Sequence, residues 1–303
     1  MSELTIFQEK IKGFLPKIEL RFNEPMSRHT SFRIGGPAEV MAFPKSDREL
    51  SKILKVSALL DCKPAILGAG TNILAPDAGL GGLTICLKDC MDGIEILDET
   101  CIRVAAGVSM TRAAVFAANH GLSGMEFAHG IPGSVGGGVY MNAGAYGGEI
   151  KDICTGVQVM DMQGNMKTYS AEEMAFSYRH SRLEDEGGIV VSATFSLEKA
   201  DEQQVRQKMQ ELMAKRKASQ PLDLPSAGSA FKRPVGGYAA ALIDQSGLKG
   251  FQVGGAAVSQ KHAGFVVNID HATAQDVRNL LQQVSDRVFE NSGIRLEPEV
   301  RIW

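Results

Sequence analysis

The residues whose types and spacing could do chemistry lie first in two glycine-rich stretches. Gly130 to Gly148 reads GIPGSVGGGVYMNAGAYGG and holds eight glycines in nineteen positions. That density costs backbone entropy on folding. It is tolerable where chain must pack close to chain, or where a ligand must lie against bare backbone. The intervening residues, among them Pro132, Ser134, Tyr140, Asn142 and Tyr146, are too specific for a flexible linker. Two readings stand: a tight internal loop of a β-rich domain, or a wall holding a large, flat or phosphorylated ligand. The second stretch follows the short apolar run Ala65 to Leu67 and reads Gly68-Ala69-Gly70-Thr71-Asn72. A dinucleotide fingerprint begins this way, but Ile73 occupies the third glycine position, and Pro76 and Asp77 stop any long helix. A doubly wound nucleotide unit is therefore rejected. What remains is a strand followed by a plain turn, or by a nest of backbone N–H groups able to hold a diphosphate, with Thr71 and Asn72 as further donors.

Other polar residues stay unranked by pattern alone. Ser229 is not in a GxSxG elbow and reads as a loop hydroxyl. Arg179, inside Phe176-Ser-Tyr-Arg-His-Ser181, is either surface charge or part of a site. Glu299 alternates with Glu297 and Arg301 along an expected strand, with Val300 and Ile302 on the other face. That pattern fits a solvent face and a cleft equally. Lys215-Arg216-Lys217 ends a helix, where the helix dipole favours cations, or it contacts a phosphate. The six histidines (29, 120, 129, 180, 262 and 271) form no HExxH and no neighbouring pair, so no metal is expected.

These residues must be carried by an interleaved set of strands and helices. A first helix is expected over Leu4 to Phe14. A second is opened by a Ser46/Glu49 capping box and buries Leu50, Ile53, Leu54 and Ala58. Strands are expected at Ala38 to Phe43, Leu83 to Leu87, Ile94 to Leu97, Ile102 to Ala105 and Ile189 to Phe195. Asp98 to Thr100 turns one hairpin, and Gln163 to Asn165 turns another between Val157–Asp161 and Met166–Tyr169. A helix from Ser109 to His120 is stopped by Gly121, and Ser170 and Glu173 cap a brief helical turn. The absence of a βαβ rhythm predicts an α+β domain with mixed or antiparallel sheets. After a boundary near residue 200, a helix buries Val205, Met209, Leu212 and Met213. A proline-bracketed loop runs from Pro221 to Pro234, and a small helix from Tyr238 to Ile243. Strands at Ala256–Val258 and Phe265–Asn268 precede a last helix, capped by Thr273 and Asp276 and ended by Gly293. The coarse order there is β-α-β-β-α-β, a second, small α+β domain.

The chain has 303 residues, 44% hydrophobic composition and a formal net charge of -3. It is long enough for two or three domains, and no basic tract suggests a nucleic-acid partner. Met1 to Leu15 is too charged for a signal peptide, and no run reaches membrane-spanning length. Five cysteines without a CxxC argue against a disulfide framework or a zinc site and for a reducing, cytoplasmic setting. No obligate protein partner is evident.

Seven pieces, in order along almost the whole chain, resemble the family of UDP-N-acetylenolpyruvoylglucosamine reductases. They are His29 to Gly36, Leu67 to Leu74, Glu126 to Gly137, Met141 to Gly148, Tyr178 to Ser181, Ala227 to Lys232 and Leu296 to Val300. The resemblance implies an α+β fold: an FAD-binding region of the vanillyl-alcohol-oxidase/PCMH type over residues 1–200, in two subdomains of roughly 1–90 and 91–200. A small α+β substrate-binding domain over 201–303 follows. It implies non-covalent FAD, with NADPH as hydride donor and UDP-N-acetylglucosamine enolpyruvate as substrate, in peptidoglycan precursor synthesis. Arg179, Ser229 and Glu299 match the catalytic group, Ser229 as the proton donor. Leu67, Gly68, Ala69, Gly70, Thr71 and Asn72 match one flavin-contacting segment. Gly130, Ile131, Pro132, Gly133, Ser134, Gly136, Gly137, Asn142, Ala143, Gly144 and Ala145 match the others. Tyr146, Arg216, Lys232 and Arg233 are the candidates for holding the substrate. The chain resembles the shorter form of the enzyme, without the inserted loop whose tyrosine covers the nucleotide. The alternatives are another flavin enzyme on the same domain, distinguished by reduction with NADPH but no turnover of the UDP sugar, and a non-catalytic nucleotide-binding module, distinguished by a protein that stays colourless with FAD.

Overall fold

The structure is a computed structural model and describes residues 4–303. The reading of Met1 to Leu15 as no leader includes residues 1–3, which lie outside the described residues. The chain forms two compact units. The first comprises the described residues up to Phe22 together with Glu39–Ala69 and Gly81–Lys215. The second comprises Asn23–Ala38, Gly70–Leu80 and Arg216–Trp303.

The first unit holds most of two larger sheets, besides two-stranded ladders. A four-stranded sheet runs in the order Glu19–Pro25, Pro37–Phe43, Leu80–Cys86, Ala65–Leu67, the last two parallel with Ile66 opposite Ile85. Helices Ile6–Phe14 and Asp47–Leu59 share its core, through Ile11 and through Leu50, Ile53 and Leu54, all fully buried. Thr5 and Gln8 cap the first helix reciprocally. At the second, Ser46 accepts from the Glu49 N–H at 3.2 Å, but the Glu49 carboxylate accepts from Lys45 N–H at 2.7 Å. The expected box is therefore displaced by one residue. Ala58, expected inside, is exposed, and Val56 and Ser57 are buried in its stead. The Ser57 hydroxyl donates to the Cys62 carbonyl at 3.0 Å and so turns this face of the last turn inward.

The second sheet is five-stranded and antiparallel, in the order Met166–Ser170, Cys154–Met160, Ile189–Ser196, Cys101–Ala105, Ile94–Ile96. Both expected hairpins are in it. Its central strand is buried on both faces over Ile189–Ala193, where alternation with an exposed side could have been read. The alternation is between two cores. Ile189 and Val191 join the core of the four-stranded sheet, while Val190, Ala193 and Phe195 join a second core with helix Met110–Asn119. Ser109 caps that helix by accepting from Arg112 N–H. The Ser170/Glu173 pair closes its two reciprocal hydrogen bonds, at 3.2 and 2.8 Å, on a turn that does not extend into a helix.

The second unit is built on an antiparallel sheet in the order Ser226–Ser229, Phe265–Asn268, Ala256–Val258, Gln252–Val253. Helices Ala239–Gln245 and Ala274–Ser292 pack into its core with Phe32, Ile34, Leu74, Leu296 and Val300. Thr273 and Asp276 form the expected capping box, and Gly293 ends the helix at φ 71°. Asp77 adds a second cap from far away in sequence: its carboxylate accepts from the N–H groups of Ala274 (2.8 Å) and Gln275 (3.2 Å). Two expectations fail here. Ser226–Ser229, read as part of a loop, is a strand. The closing strand is reduced to Arg301–Ile302, paired in parallel with Ile73–Leu74, and Ile302 is 39% exposed while Val300 is buried. Before it, Pro298 makes an isolated antiparallel bridge to Phe231, so pairing changes partner between Pro298 and Arg301. Helix Glu202–Ser219 carries the chain from the first unit into the second, with Val205, Met209 and Leu212 buried as expected and Met213 half-buried. Among the described residues no helix is long and apolar enough to cross a membrane, and no group of three His, Cys, Asp or Glu is placed to hold a metal ion.

Candidate active site

In the first unit the glycine-rich stretch is not one loop. It contains the short helix Val135–Tyr140 and a two-residue hairpin between Gly144–Ala145 and Gly148–Glu149. A helix with three consecutive glycines is poor by propensity. It forms because its orphan N–H groups have partners fixed elsewhere. Val135 N–H donates to the Val108 carbonyl (2.8 Å) and Gly136 N–H to the Ala106 carbonyl (2.9 Å). Gly137 N–H donates to the Ser134 hydroxyl at 3.4 Å. At the hairpin tip Tyr146 (φ 54°) and Gly147 (φ 89°) are both left-handed, the requirement of a type I′ turn, and Tyr146 is 44% exposed.

The glycines serve different ends. A Cβ on Gly136 would lie 2.8 Å from the Cβ of Ala106, and one on Gly138 2.8 Å from Met110 Sδ. One on Gly144 would lie 2.7 Å from Glu149 Cγ. These three are glycine because protein packs against them. Gly137 differs: its nearest neighbour would be Ser134 Oγ at 3.6 Å, an ordinary contact. A Cβ on Gly68 would lie 2.8 Å from that same Ser134 hydroxyl, so the turn after Leu67 borders this helix start. Leu67 itself is fully buried.

Asn142, 1% exposed and left-handed at φ 43°, joins this segment to Arg179. Its side-chain N–H groups donate to Glu149 Oε2 (2.8 Å) and to the Ser177 carbonyl (3.0 Å), and its oxygen accepts from Lys151 N–H (3.0 Å). Ser177 and His180 pair across a tight turn with Tyr178 and Arg179 at its tip. Arg179 is held at φ 56°, which is costly for a side chain of that size. Its guanidinium lies 5.2 Å from the Tyr178 ring centre.

In the second unit Ser229 and Glu299 come from adjoining segments. Glu299 N–H donates to the Ala230 carbonyl (2.9 Å), Phe231 pairs with Pro298, and Lys232 N–H donates to the Glu297 carbonyl (2.9 Å). A register shift between Ser226 and Ser229, with Gly228 at φ 77°, makes a bulge beside Ser229, whose side chain is exposed. The Asn72 side-chain amide donates to the Glu299 carbonyl (3.1 Å), and Arg301 N–H donates to the Asn72 carbonyl (3.0 Å). At least one amide proton of Asn72 therefore serves Glu299. Gly70, at φ 65°, is pressed against the His29 carbonyl and accepts from Ser31 N–H at 3.0 Å. Lys232 and Arg233 are exposed. Lys232 lies 3.4 Å from Glu297, and Arg233 lies 4.0 Å from the ring centre of Tyr238. Of the three basic residues ending the long helix, only Arg216 is buried, at 5% exposure, donating to Gln220 at 3.3 Å.

The structure thus brings Ser229, Glu299 and Asn72 together in one unit, and Asn142 and Arg179 together in the other. Sequence reasoning passed over His129, whose Nδ1 is sealed from solvent with no hydrogen-bond partner among the described residues. Its signal was position alone, one residue before Gly130. Two buried thiols offer no competing chemistry: burial pushes Cys86 up to about 11 and Cys154 up to about 12, far from a thiolate at neutral pH.

Residues 38–170 match an FAD-binding domain family, and residues 220–303 match the C-terminal domain of UDP-N-acetylenolpyruvoylglucosamine reductase. The chain is similar to the UDP-N-acetylenolpyruvoylglucosamine reductase of Caldanaerobacter subterraneus subsp. tengcongensis, 45% identical over 302 residues, covering 100% of this chain and 99% of the relative. It is 44% identical to that of Streptococcus uberis, over 95% of this chain and 94% of the relative. The crystal structure of the enzyme from Thermus caldophilus superposes with a TM-score of 0.80 at 34% identity, covering 95% of this chain and 99% of that one. The residues present fit FAD. Gly137 presents a backbone face that a Cβ would not crowd against protein, and a solvent-sealed nitrogen of His129 lies at the start of the same segment. Given that fit and a similarity that runs the full length of the chain and through both of its parts, the chain belongs to the UDP-N-acetylenolpyruvoylglucosamine reductase family.

Proposed function

We propose that this chain catalyses the NADPH-dependent reduction of UDP-N-acetyl-3-O-(1-carboxyvinyl)-glucosamine to UDP-N-acetylmuramate, with FAD as its resident cofactor. The observation that carries the catalytic assignment is the pairing of the Ser229 and Glu299 segments through the Glu299 N–H and the Ala230 carbonyl. When bound, FAD accepts hydride from NADPH and passes it to C3 of the enolpyruvyl group.

The net change is one hydride at C3 and one proton at C2, which turns the vinyl ether into a lactyl ether. Charge develops toward the substrate carboxylate as the hydride arrives. The Arg179 guanidinium, presented at the tip of a fixed turn, is the group that meets it. Ser229 gives its hydroxyl proton to C2 and regains one from water or a neighbouring lysine. A serine hydroxyl is a weak acid, so its value lies in placement, and the bulge at Gly228 supports that role. Glu299, fixed by Asn72 and Ala230 at its backbone, completes the group. Lys232, Arg233 and Arg216 supply the positive charge that a diphosphate takes, and Tyr146 is offered to the substrate from an exposed turn. The Gly68–Asn72 and Gly130–Ala145 segments hold FAD. The reaction belongs in the cytoplasm, where NADPH and nucleotide-activated sugars are made, and five free cysteines fit that reducing setting.

The test is direct. The purified protein is expected to be yellow, to bleach with NADPH in the absence of oxygen, and to regain its colour on addition of the UDP-enolpyruvyl sugar. A bleached protein whose colour that sugar does not restore contradicts the proposal.

A further inference from the structure

We propose that His129 is a cofactor ligand, its Nδ1 making a hydrogen bond to FAD held against the glycine-rich segment. This rests on the reading that the chain binds FAD. The motivating observation is the sealed Nδ1, which has no partner among the described residues. Buried polar atoms in folded proteins are almost always paired, and each exception asks for an explanation.

The other histidines mark His129 as the exception. His29 Nε2 lies 2.9 Å from Glu24, His120 Nδ1 2.8 Å from the Phe116 carbonyl, and His180 Nε2 3.1 Å from Asp185. His262 Nδ1 accepts from Gly264 N–H at 3.1 Å, and His271 is exposed. The backbone around His129 is fixed, so its ring has little freedom to find a partner by moving the chain. His129 N–H donates to the Glu126 carbonyl (3.1 Å), and Ile131 N–H to the Ala128 carbonyl (3.1 Å). Gly130 N–H donates to the Thr111 hydroxyl (3.1 Å), and Met110 N–H to the Gly133 carbonyl (2.9 Å). These bonds pin the residues after His129 to the start of helix Met110–Asn119, in the same segment that carries the open face of Gly137. A neutral imidazole can offer Nδ1 as donor or acceptor. FAD carries both complements: diphosphate and flavin carbonyl oxygens accept, while ribityl hydroxyls and the flavin N3–H donate.

The experiment follows release of FAD from the purified holoenzyme on dilution, by the recovery of free-flavin fluorescence, in wild type, His129→Ala, His129→Asn and His129→Gln. Asparagine places an amide near the Nδ1 position, and glutamine reaches beyond it. His129→Ala is expected to weaken FAD binding roughly 10- to 100-fold, the size of one lost hydrogen bond that leaves a buried partner unmet. His129→Asn is expected to return to within about threefold of wild type, and His129→Gln to stay with alanine. If His129→Ala does not fold, the asparagine–glutamine comparison decides alone, and equal affinities for those two overturn the proposal. Wild-type FAD release from His129→Ala, with only its melting temperature altered, also overturns it and makes the nitrogen's partner a water. A wild-type protein that binds no FAD fails the functional reading itself, whereas FAD binding that ignores His129 fails only this inference.

Discussion

The side-chain amide of Asn72 donates to the backbone carbonyl of Glu299 at 3.1 Å, joining residues 227 positions apart. Arg301 N–H returns the contact to the Asn72 carbonyl at 3.0 Å, and Glu299 N–H donates to the Ala230 carbonyl. Glu299 is thus held by its backbone at both polar groups. The last residue of the GAGTN turn consequently does two jobs: it closes a glycine turn and it fixes the backbone of Glu299.

Asn72→Ala is therefore expected to lower turnover of the UDP-enolpyruvyl sugar and to destabilise the protein by about 1 kcal/mol, the net worth of one part-buried hydrogen bond. Stopped-flow reoxidation and chemical denaturation measure the two effects. Wild-type values in both assays contradict the positioning role.

Gly136 and Gly137 are neighbours in one short helix and should respond differently. A methyl on Gly136 meets the Ala106 Cβ at 2.8 Å, so Gly136→Ala should destabilise the FAD-free protein. A methyl on Gly137 meets nothing closer than 3.6 Å, and alanine is the better helix former by about 1 kcal/mol. Gly137→Ala should leave the FAD-free protein as stable or slightly more stable while weakening FAD binding. Thermal melts without cofactor, paired with FAD titration, separate the two. Undiminished FAD affinity in Gly137→Ala would move the cofactor off this face.

Asn142 carries no charge in any proposed step, yet it ties the glycine-rich segment to the turn bearing Arg179. Asn142→Asp would place a carboxylate oxygen about where the amide now stands 2.8 Å from Glu149, in a site 1% exposed. The loss is expected to be about 1–3 kcal/mol in unfolding free energy, because a like-charge contact to Glu149, itself 36% exposed and paired with Lys151 at 3.2 Å, replaces a part-buried hydrogen bond. A denaturation midpoint equal to wild type would show that the network does not bear on stability.

Arg179→Lys keeps the charge and removes the planar fork. Its expected cost is about 2–5 kcal/mol in kcat/KM for the UDP-enolpyruvyl sugar, with NADPH reduction of the flavin little changed. The positive φ of 56° is the same burden for both side chains, so backbone strain does not confound the comparison. Wild-type turnover would remove Arg179 from the catalytic group.

Much of this was legible in the sequence because the signals were local. Ser46, Ser109, Thr273 and Gly293 announced helix ends that the structure keeps, and the two hairpins follow their turn residues. The glycine-rich stretch was legible as a place of close backbone approach but not as a helix, because the carbonyls that complete it belong to Ala106 and Val108, some thirty residues earlier. Ser229 looked like a loop hydroxyl because the strand partner that makes it a bulged strand end, Phe265, lies 36 residues later. The same distance problem hid Asn72 beneath Glu299. Ile302 was misplaced because a two-residue period was extended from the Pro298 bridge into Arg301–Ile302, which pairs instead with Ile73–Leu74. Which of two adjacent glycines packs against protein and which does not has no sequence signature at all.

The central claim is that Ser229 donates the proton in the second half of the reaction, and rapid-mixing traces of Ser229→Ala test it most directly. Reduction of the bound flavin by NADPH should run at nearly the wild-type rate. Reoxidation by the UDP-enolpyruvyl sugar should slow by about 10²–10⁴-fold, the usual worth of general acid catalysis. Ser229→Cys should recover part of the loss. Ser226→Ala, three residues away at the other end of the same short strand, should reoxidise normally. If Ser229→Ala slows reduction by NADPH as much as reoxidation, Ser229 shapes the pocket and is not the proton donor.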